Sequence, residues 1–326
     1  MKLIDSHGRT INYLRLSVTD RCNMRCFYCM PKEGIVSKGH DAVLTYEELL
    51  LIAETAVKLG IEKIRITGGE PLVRADIINF LSRVSVVPGL QHLALTTNGL
   101  LLPEMAADLY KAGVQRLNIS LDSLNAETFS SITRGGDLKK VLAGLDAAEQ
   151  AGFPPPKINC VIMRGVNDAE ILDFAEMTLS RGNSIRFIEY MPAVKEDDWQ
   201  RYCISGEEIL DRIAARYPLI SIDRGAYCGP SRDFSIPGAR GSIGIITAVS
   251  GHFCSECNRI RVTSTGQAKG CLFADAKTDL IPWLRPPDRE GLAKVLRGIV
   301  STKPERHDIS QDGYTHTNFT MSQVGG

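Results

Sequence analysis

"TYEELLLIAETAVKLGIEKIRITGGEP", residues 45–71, contains one full unit of the pattern that decides the fold. Thr45 followed by Glu48 has the spacing of a helix capping box, and Gly60 stands where a helix C-terminus favours glycine. A short β-rich run, 62–67, follows at once. The stretch therefore predicts an amphipathic α-helix that leads directly into a β-strand.

The same order recurs through the first 190 residues. Gly113 and Gly152 end two further helical patterns, and each is soon followed by an apolar run. The predicted strands cover 12–18, 62–67, 92–97, 115–120, 157–163 and 184–190. Strands that alternate with helices imply a parallel sheet with right-handed crossovers. This count suits either a doubly wound sheet or a (β/α) barrel that lacks its last two units.

Polar residues follow four of these strands, at 67–70, 97–99, 120–122 and 189–191. Turn chemistry explains any one of them, because Gly, Asn and Asp favour turns. Four together indicate the face on which barrels build their sites, at the carboxyl ends of the strands. We therefore predict an α/β fold, an incomplete (β/α)6 TIM-type barrel.

The pattern changes after about residue 195. "AVKEDDWQ", 193–200, is polar and irregular, and short strand-like runs such as 241–249 and 258–264 follow it. We predict a boundary near 195–205. Residues 1–195 would form the partial barrel, and 196–326 a smaller C-terminal α+β domain that carries the second cysteine group.

Composition excludes several classes of protein. No apolar run approaches the roughly 20 residues that span a membrane, and the first ten residues lack the apolar region of a signal peptide. A cytoplasmic location without a membrane partner is expected. The 38 basic and 38 acidic residues balance, which argues against a nucleic-acid footprint over the whole surface.

The nine cysteines indicate metal ligation rather than a disulfide framework, since their number is odd and no secretory signal is seen. Six of them fall in two tight groups. Cys160, Cys203 and Cys228 stand alone and are expected to be ordinary small buried residues.

The first group lies in "DRCNMRCFYCMPKEG", 20–34, where Cys22, Cys26 and Cys29 are spaced C-x3-C-x2-C. Thiolates select zinc or iron–sulfur clusters. A [4Fe–4S] cluster has four corners, so three cysteines leave one iron open to a ligand that is not protein. The alternative is a four-ligand zinc site completed by a distant residue such as His40.

The second group is Cys254, Cys257 and Cys271, spaced C-x2-C-x13-C. His252 could complete a Cys3His zinc site here, or the three cysteines could hold a second cluster with an open corner. Arg259 and Arg261 are alternate residues of a predicted strand and so share a face. Guanidinium groups suit phosphate or carboxylate oxygens, although solvated or ion-paired arginines are the plainer alternative.

The first cysteine loop, with Tyr28 just before its last cysteine, resembles the signature of the radical S-adenosylmethionine enzymes. "TGGEP", 67–71, resembles the glycine-rich stretch that receives the amino end of S-adenosylmethionine in that family. The resemblance implies a [4Fe–4S] cluster whose open iron is chelated by S-adenosylmethionine. Reduction then cleaves this molecule to methionine and a 5′-deoxyadenosyl radical, which takes a hydrogen atom from the substrate.

A longer series of motifs, "ITGGEP", "LTTNG", "NISLDS", "RGVND", "RFIEYMP", "GARGSIGIITAVSGHFCSECNRIRV" and a Gly-Gly end, occurs in order along the chain. It resembles the GTP 3′,8-cyclase family of molybdenum cofactor biosynthesis. The resemblance implies a second [4Fe–4S] cluster that holds the guanine of GTP, and a product, (8S)-3′,8-cyclo-7,8-dihydro-GTP. It also implies an external electron donor and transfer of the product to cyclic pyranopterin monophosphate synthase, and it allows a homodimer.

The resemblance also carries roles to individual residues. Both cysteine groups would bind clusters. The S-adenosylmethionine contacts would be Tyr28, Gly69, Ser120 and Met191. The GTP contacts would be Arg15, Arg65, Thr96, Lys157, Arg259, Ile260 and Arg261. The tail residues Gly325 and Gly326 would enter the site and assist catalysis.

Residue types alone give partial support for the GTP contacts. Arg15 lies in the first predicted strand and Lys157 begins the fifth. A cation that points into a barrel needs an anionic partner, which a triphosphate or a fixed protein carboxylate would supply.

Two rival functions stay open at this stage. One is a different radical S-adenosylmethionine enzyme with an auxiliary cluster, acting on a peptide or another nucleotide. The other is a zinc-binding module without enzymatic activity that contacts nucleic acid.

Overall fold

The computed structural model describes residues 2–34, 42–191, 199–223, 229–251, 253–274 and 277–307. The strands of this part of the chain are β1 (Tyr13–Ser17), β2 (Lys63–Thr67), β3 (His92–Thr97), β4 (Arg116–Ser120), β5 (Lys157–Ile162), β6 (Ser184–Glu189), β7 (Ile220–Ile222), β8 (Arg232–Ser235), β9 (Ser242–Ile246), β10 (Arg259–Val262), β11 (Gln267–Lys269) and β12 (Thr278–Asp279). Its α-helices are α1 (Tyr46–Lys58), α2 (Ile77–Ser85), α3 (Leu102–Lys111), α4 (Ala126–Thr133), α5 (Leu138–Gln150), α6 (Ile171–Ser180), α7 (Gly206–Ala214) and α8 (Arg289–Ser301).

The first six strands are neighbours in sequence order, and each pairs in parallel with the next. Helices connect them, as a parallel sheet requires. All six predicted strands are thus confirmed. So is the capping box of α1, in which the Thr45 hydroxyl accepts from the Glu48 amide and the Glu48 carboxylate accepts from the Thr45 amide.

Strands from the last third of the chain extend the same sheet on both sides. β10 pairs in parallel with β1 and is followed by the antiparallel strands β11 and β12. On the other side, β9 pairs in parallel with β6 and is followed by β8 and β7. The strand-like runs 241–249 and 258–264 are confirmed as β9 and β10. Their pairing with the first six strands in one sheet was not predicted, and the division at 195/196 stays a prediction.

Alternation along the strands separates a hydrophobic core from a polar cavity. In β1, Leu14 and Leu16 are fully buried in the core, whereas Tyr13 and Arg15 line the cavity. Each fully buried leucine of this kind contributes about 1.5–3 kcal/mol to folding. The core therefore fixes the register of the strands, and the register fixes which polar side chains reach the cavity.

The structure tests the prediction for two of the three lone cysteines. Of the lone cysteines, Cys160 is buried as expected, Cys203 is only partly buried, and Cys228 lies outside the described residues. His40, His252, Gly325 and Gly326 also lie outside them. No helix in the described ranges has the length and apolar character needed to cross a membrane.

Candidate active site

A cavity of about 470 Å³ opens on the polar face of the sheet. All six cysteines of the two groups line it, so the cavity brings together side chains far apart in sequence. The remaining lining comes mainly from inward residues of β1 to β6 and of β10. The two cysteine groups and the polar strand residues therefore face the same cavity.

The first cysteine loop, residues 20–30, lies directly against the glycines that follow β2. The Gly69 amide donates to the Thr19 carbonyl at 2.8 Å, and the Glu70 amide donates to the Arg21 carbonyl at 2.8 Å. A Cβ on Gly69 would lie 2.4 Å from the Arg21 oxygen, closer than real contacts allow. Glycine is thus required at this position for the two loops to meet.

Glu70 ties this region to the end of β3. Its buried carboxylate accepts from the Leu72 amide at 3.0 Å, the Thr97 hydroxyl at 2.8 Å and the Asn98 amide at 2.6 Å. Burial raises the pKa of Glu70 to about 7, against the effect of these donors. Asn98 in turn donates to Asn23 at 2.7 Å inside the cysteine loop. The carboxylate therefore positions the loop through its neighbours.

Asp122, at the end of β4, is a second carboxylate beneath the loop. It accepts from the Tyr28 hydroxyl at 2.6 Å and from the Val161 amide at 2.9 Å. Burial raises the pKa of Asp122 to about 6. The Phe27 amide also donates to the Ile132 carbonyl at the end of α4, at 3.0 Å. The loop is consequently held from both sides.

The thiols of this loop fit a soft, cationic metal centre. Burial raises the pKa of Cys22 to about 11. Burial and then the charges of Asp122, Cys29 and Cys22 raise the pKa of Cys26 well above its ordinary value. Buried thiolates are stabilised by a neighbouring positive charge, which iron would supply. In the described ranges, no three His, Cys, Asp or Glu side chains converge as they would around a single metal ion.

The second cysteine group lies among cations. The Lys303 ammonium is 3.4 Å from the Cys257 sulfur, and Arg259 is also close to this thiol. Burial tends to raise the pKa of Cys257, but the charges of Arg259 and Lys303 lower it to about 6. Arg9 fixes the same loop from outside by donating to the Cys254 carbonyl at 2.7 Å. The donor set fits an anionic iron–sulfur centre whose charge these cations offset.

A row of cations crosses the sheet between the two cysteine groups. Arg261, Arg15 and Arg65 are register partners on three adjacent strands. Further basic lining residues are Lys63, Arg116, Lys157, Arg186 and Arg259. Burial, and then repulsion from Arg261, lowers the pKa of Arg15 well below its ordinary value. Like charges held this close in a buried place indicate a site for a highly charged anion.

The pKa of Tyr13 shows how strong the positive electrostatic potential of these cations is. Its ring lies 4.8 Å from the Lys63 ammonium and 5.6 Å from the Arg65 guanidinium carbon. Burial alone would raise the pKa of Tyr13, yet Arg65, Arg15, Lys63 and Arg259 lower it to about 8. The cavity therefore stabilises a negative charge even on a phenol.

Several buried polar atoms of the cavity have no hydrogen-bond partner among the described residues. They are Arg65 Nε, Thr67 Oγ1, Thr96 Oγ1 and Asn118 Nδ2. Leaving such an atom unpaired costs about 1–3 kcal/mol. A polar ligand that hydrogen-bonds with them would recover this cost.

The structure places most of the predicted site residues on this cavity. Those that line it are Cys22, Cys26, Cys29, Cys254, Cys257, Cys271, Tyr28, Gly69, Ser120, Met191, Arg15, Arg65, Thr96, Lys157, Arg259 and Arg261. The Ile260 side chain does not line it, because this residue alternates with its two arginine neighbours and packs in the core with 1% exposure. Only its backbone remains available for the predicted contact.

Sequence reasoning missed other residues of the site. Lys63 and Arg116 precede Arg65 and Asn118 by two positions in their strands, so period-two alternation could have found them. Glu70 and Asp122 lay inside motifs already singled out, but not as anchors. Lys303 gave no signal, since nothing in its local sequence connects it with a cysteine.

Two family models match the chain. The Radical SAM superfamily matches residues 16–178, and Molybdenum Cofactor Synthesis C matches residues 183–309. Radical SAM proteins use a [4Fe–4S] cluster and S-adenosylmethionine, which agrees with the donor set of the first cysteine loop.

Solved structures share the fold at low sequence identity. Streptococcus suis SuiB aligns with a TM-score of 0.61 at 14% identity, covering 88% of this chain and 69% of that one. SuiB bound to S-adenosylmethionine aligns with a TM-score of 0.59 at 13% identity, and the alignment spans 84% of this chain and 62% of that one. These likenesses concern the α/β fold alone.

Curated relatives are far more similar. The GTP 3′,8-cyclase of Geobacter sulfurreducens is 62% identical over 326 residues, which is 100% of both chains. The GTP 3′,8-cyclase of Alkaliphilus oremlandii is 44% identical over 99% of both chains. The chain therefore belongs to the GTP 3′,8-cyclase family of the radical S-adenosylmethionine superfamily.

Proposed function

We propose that this chain is a GTP 3′,8-cyclase, which converts GTP to (8S)-3′,8-cyclo-7,8-dihydro-GTP in the first step of molybdenum cofactor biosynthesis. S-adenosylmethionine is cleaved to methionine and 5′-deoxyadenosine in the same reaction. The observation that carries the proposal is the single cavity lined by two three-cysteine groups with a row of cations between them. Full-length similarity to cyclases supports it.

Cys22, Cys26 and Cys29 would hold the first [4Fe–4S] cluster. When bound, this cluster and S-adenosylmethionine supply the radical that removes the ribose 3′ hydrogen. Gly69, which packs against the backbone of the loop, also lines the cavity and would contact the amino end of S-adenosylmethionine. Tyr28, Ser120 and Met191 line the same cavity and would complete its contacts.

The cation row would bind the triphosphate of GTP. Arg15, Arg65 and Arg261 lie side by side across three strands, with Arg259 and Lys157 on the same cavity. Guanidinium forks match phosphate oxygens in pairs. Thr96 Oγ1 and Arg65 Nε offer further polar contacts. We also propose a backbone contact from Ile260.

Cys254, Cys257 and Cys271 would hold a second [4Fe–4S] cluster, with one corner available to the guanine base. This arrangement would set the ribose between the triphosphate and the first cysteine loop. The shared cavity favours it, because both cysteine groups face the same space. Once the 3′ hydrogen is removed, the 3′ carbon is positioned to bond with C8 of guanine.

Several wider proposals accompany this function. Inward residues of six successive strands line one cavity, which favours the incomplete (β/α)6 barrel and a C-terminal part that carries the auxiliary cluster. The resemblance further favours an external electron donor and transfer of the product to cyclic pyranopterin monophosphate synthase. We also propose that the enzyme is cytoplasmic, and a homodimer agrees with this function.

The test is anaerobic incubation of the reconstituted chain with a reductant, S-adenosylmethionine and GTP deuterated at the ribose 3′ position. Deuterium should appear in 5′-deoxyadenosine together with the cyclised nucleotide. Transfer from another ribose position only would contradict the cyclase reaction and leave the superfamily assignment intact. Protein that stays colourless and binds stoichiometric zinc would contradict the cluster assignment.

The tail residues Gly325 and Gly326 are proposed to enter the cavity and help start radical formation. A chain without these two residues should keep both clusters and bind GTP but turn over poorly. Adding the tail as a synthetic peptide should restore part of the activity. Full activity of the shortened chain would remove this role.

A further inference from the structure

The end of α8 brings a buried lysine to the second cysteine group. Lys303 is 3% exposed, and its ammonium lies 3.4 Å from the Cys257 sulfur. It also donates to the Gly270 carbonyl, next to Cys271 in sequence. Among the described residues, these are its hydrogen-bond partners, and only the sulfur becomes anionic. A buried ammonium needs such a counter-charge.

The surrounding backbone holds this lysine in place. A Cβ on Gly270 would lie 3.4 Å from Lys303 Cα, so the two segments pack closely. Arg9 donates to the Pro304 carbonyl at 2.7 Å and to the Glu305 carbonyl at 2.8 Å, just after the lysine. The same guanidinium donates to the Cys254 carbonyl. One arginine therefore connects the cysteine loop with the segment that carries Lys303.

We propose that Lys303 is a positioning and tuning residue for the auxiliary iron–sulfur cluster, donating a charged hydrogen bond to the Cys257 thiolate and raising the cluster's reduction potential. This inference rests on the proposed second cluster. Hydrogen bonds to ligand sulfurs and local net charge set the potentials of such clusters. A reduced cluster carries one more negative charge than an oxidised one, so a nearby ammonium stabilises the reduced form more strongly.

The test uses the full chain with Cys22, Cys26 and Cys29 replaced by Ala, so that only the auxiliary cluster is reconstituted. Its one-electron midpoint potential is measured by redox titration with electron paramagnetic resonance. Lys303→Met should favour the oxidised form by tenfold or more, which corresponds to about 59 mV. Lys294→Met, an exposed lysine on α8, is the matched control and should leave the potential unchanged.

Two conservative variants keep the inference testable if Lys303→Met does not retain iron. Lys303→Arg preserves the charge and should stay near the parent potential, whereas Lys303→Gln keeps a neutral donor and should shift it part of the way. Equal potentials in all retained variants would overturn the tuning role. Absence of iron from the parent variant, before Lys303 is changed, would overturn the auxiliary cluster itself and this inference with it.

Discussion

The loop of Cys22, Cys26 and Cys29 packs against buried carboxylates, whereas the loop of Cys254, Cys257 and Cys271 packs against cations. Glu70 and Asp122 support the first loop, and Lys303 and Arg259 lie beside the second. Burial raises the pKa of Cys22 in the first loop and of Cys254 in the second, whereas the charges of Arg259 and Lys303 lower the pKa of Cys257.

This difference matches the two molecules that the cavity is proposed to hold. S-adenosylmethionine carries a sulfonium cation, and the two buried carboxylates beside the first loop suit it. The triphosphate of GTP is strongly anionic and suits the cationic end. Identical ligand types can thus serve different partners, because the charges around the loops differ.

The largest expected effect separates the two loops by their function. Cys26→Ala should abolish cleavage of S-adenosylmethionine, since the first cluster is lost and no iron remains to chelate the molecule. Cys257→Ala should retain some uncoupled cleavage but lose conversion of GTP. Both products are measured by chromatography under anaerobic conditions, with Cys203→Ala, outside the cavity, as the control. Conversion of GTP at the parent rate by Cys257→Ala would make the second loop purely structural.

The next prediction tests whether the cations near the second cysteine loop bind the triphosphate of GTP. Arg261→Ala removes a charge-assisted contact of about 1.5–3 kcal/mol, so GTP affinity should fall by about tenfold or more. Affinity is measured by calorimetry on anaerobic protein, and the iron content should not change. Arg297→Ala, an exposed residue of α8, is the control. If Arg261→Ala binds GTP with the affinity of the unchanged protein, the cations beside the second cysteine loop do not bind the triphosphate.

A third prediction compares the anchors of the two loops. Glu70→Gln exchanges a carboxylate surrounded by three donors for an amide. Arg9→Lys removes hydrogen bonds to the Cys254 carbonyl of the second loop and to the Pro304 carbonyl after α8. Each should lower the free energy of unfolding by about 1–3 kcal/mol. Denaturant titration measures this change. Arg289→Lys, at an exposed ion pair with Glu54, should have an effect of about 0–1 kcal/mol.

The smallest expected effect is a pH dependence of GTP binding at the cationic end. Burial, and then repulsion from Arg186, lowers the pKa of Lys157 to about 8; Lys63 and Arg65 act in the same direction and Asp233 opposes them. The triphosphate of GTP is expected to bind the protonated form of Lys157. Affinity should therefore fall as the pH rises above about 8, by at most about tenfold per pH unit for this proton.

Two variants show which group causes the pH dependence of GTP binding. Lys157→Met should bind GTP more weakly at pH 7 and show a flatter pH profile. Tyr13→Phe removes the phenol whose pKa is also about 8, and the slope that remains belongs to the lysine. An unchanged profile in Lys157→Met would assign the pH dependence to another group.

Local features of the fold could be predicted from the sequence. All six of the first strands coincide with apolar runs, and β2, β4 and β5 come soon after the helix-ending glycines Gly60, Gly113 and Gly152. The cysteine spacings are also visible without a structure. These signals are short-range, so they survive without knowledge of the partner strands.

What could not be predicted depends on contacts between distant segments. The pairing of β10 with β1 and of β9 with β6 joins segments that no local pattern connects. Lys303 reaches Cys257 only because α8 ends beside Gly270. Ile260 illustrates the same limit, since a motif match includes it whichever way its side chain points.

The strands on either side of the six-stranded core have a consequence for biosynthesis. Tyr13 pairs with Arg259, so one edge of β1 stays unpaired until nearly the whole chain has left the ribosome. An open edge of this kind invites pairing with other chains, and long-range parallel pairing is slow to form. The nascent enzyme thus depends on its final segments to complete the sheet, and the same segments bring the second set of cysteines to the cavity.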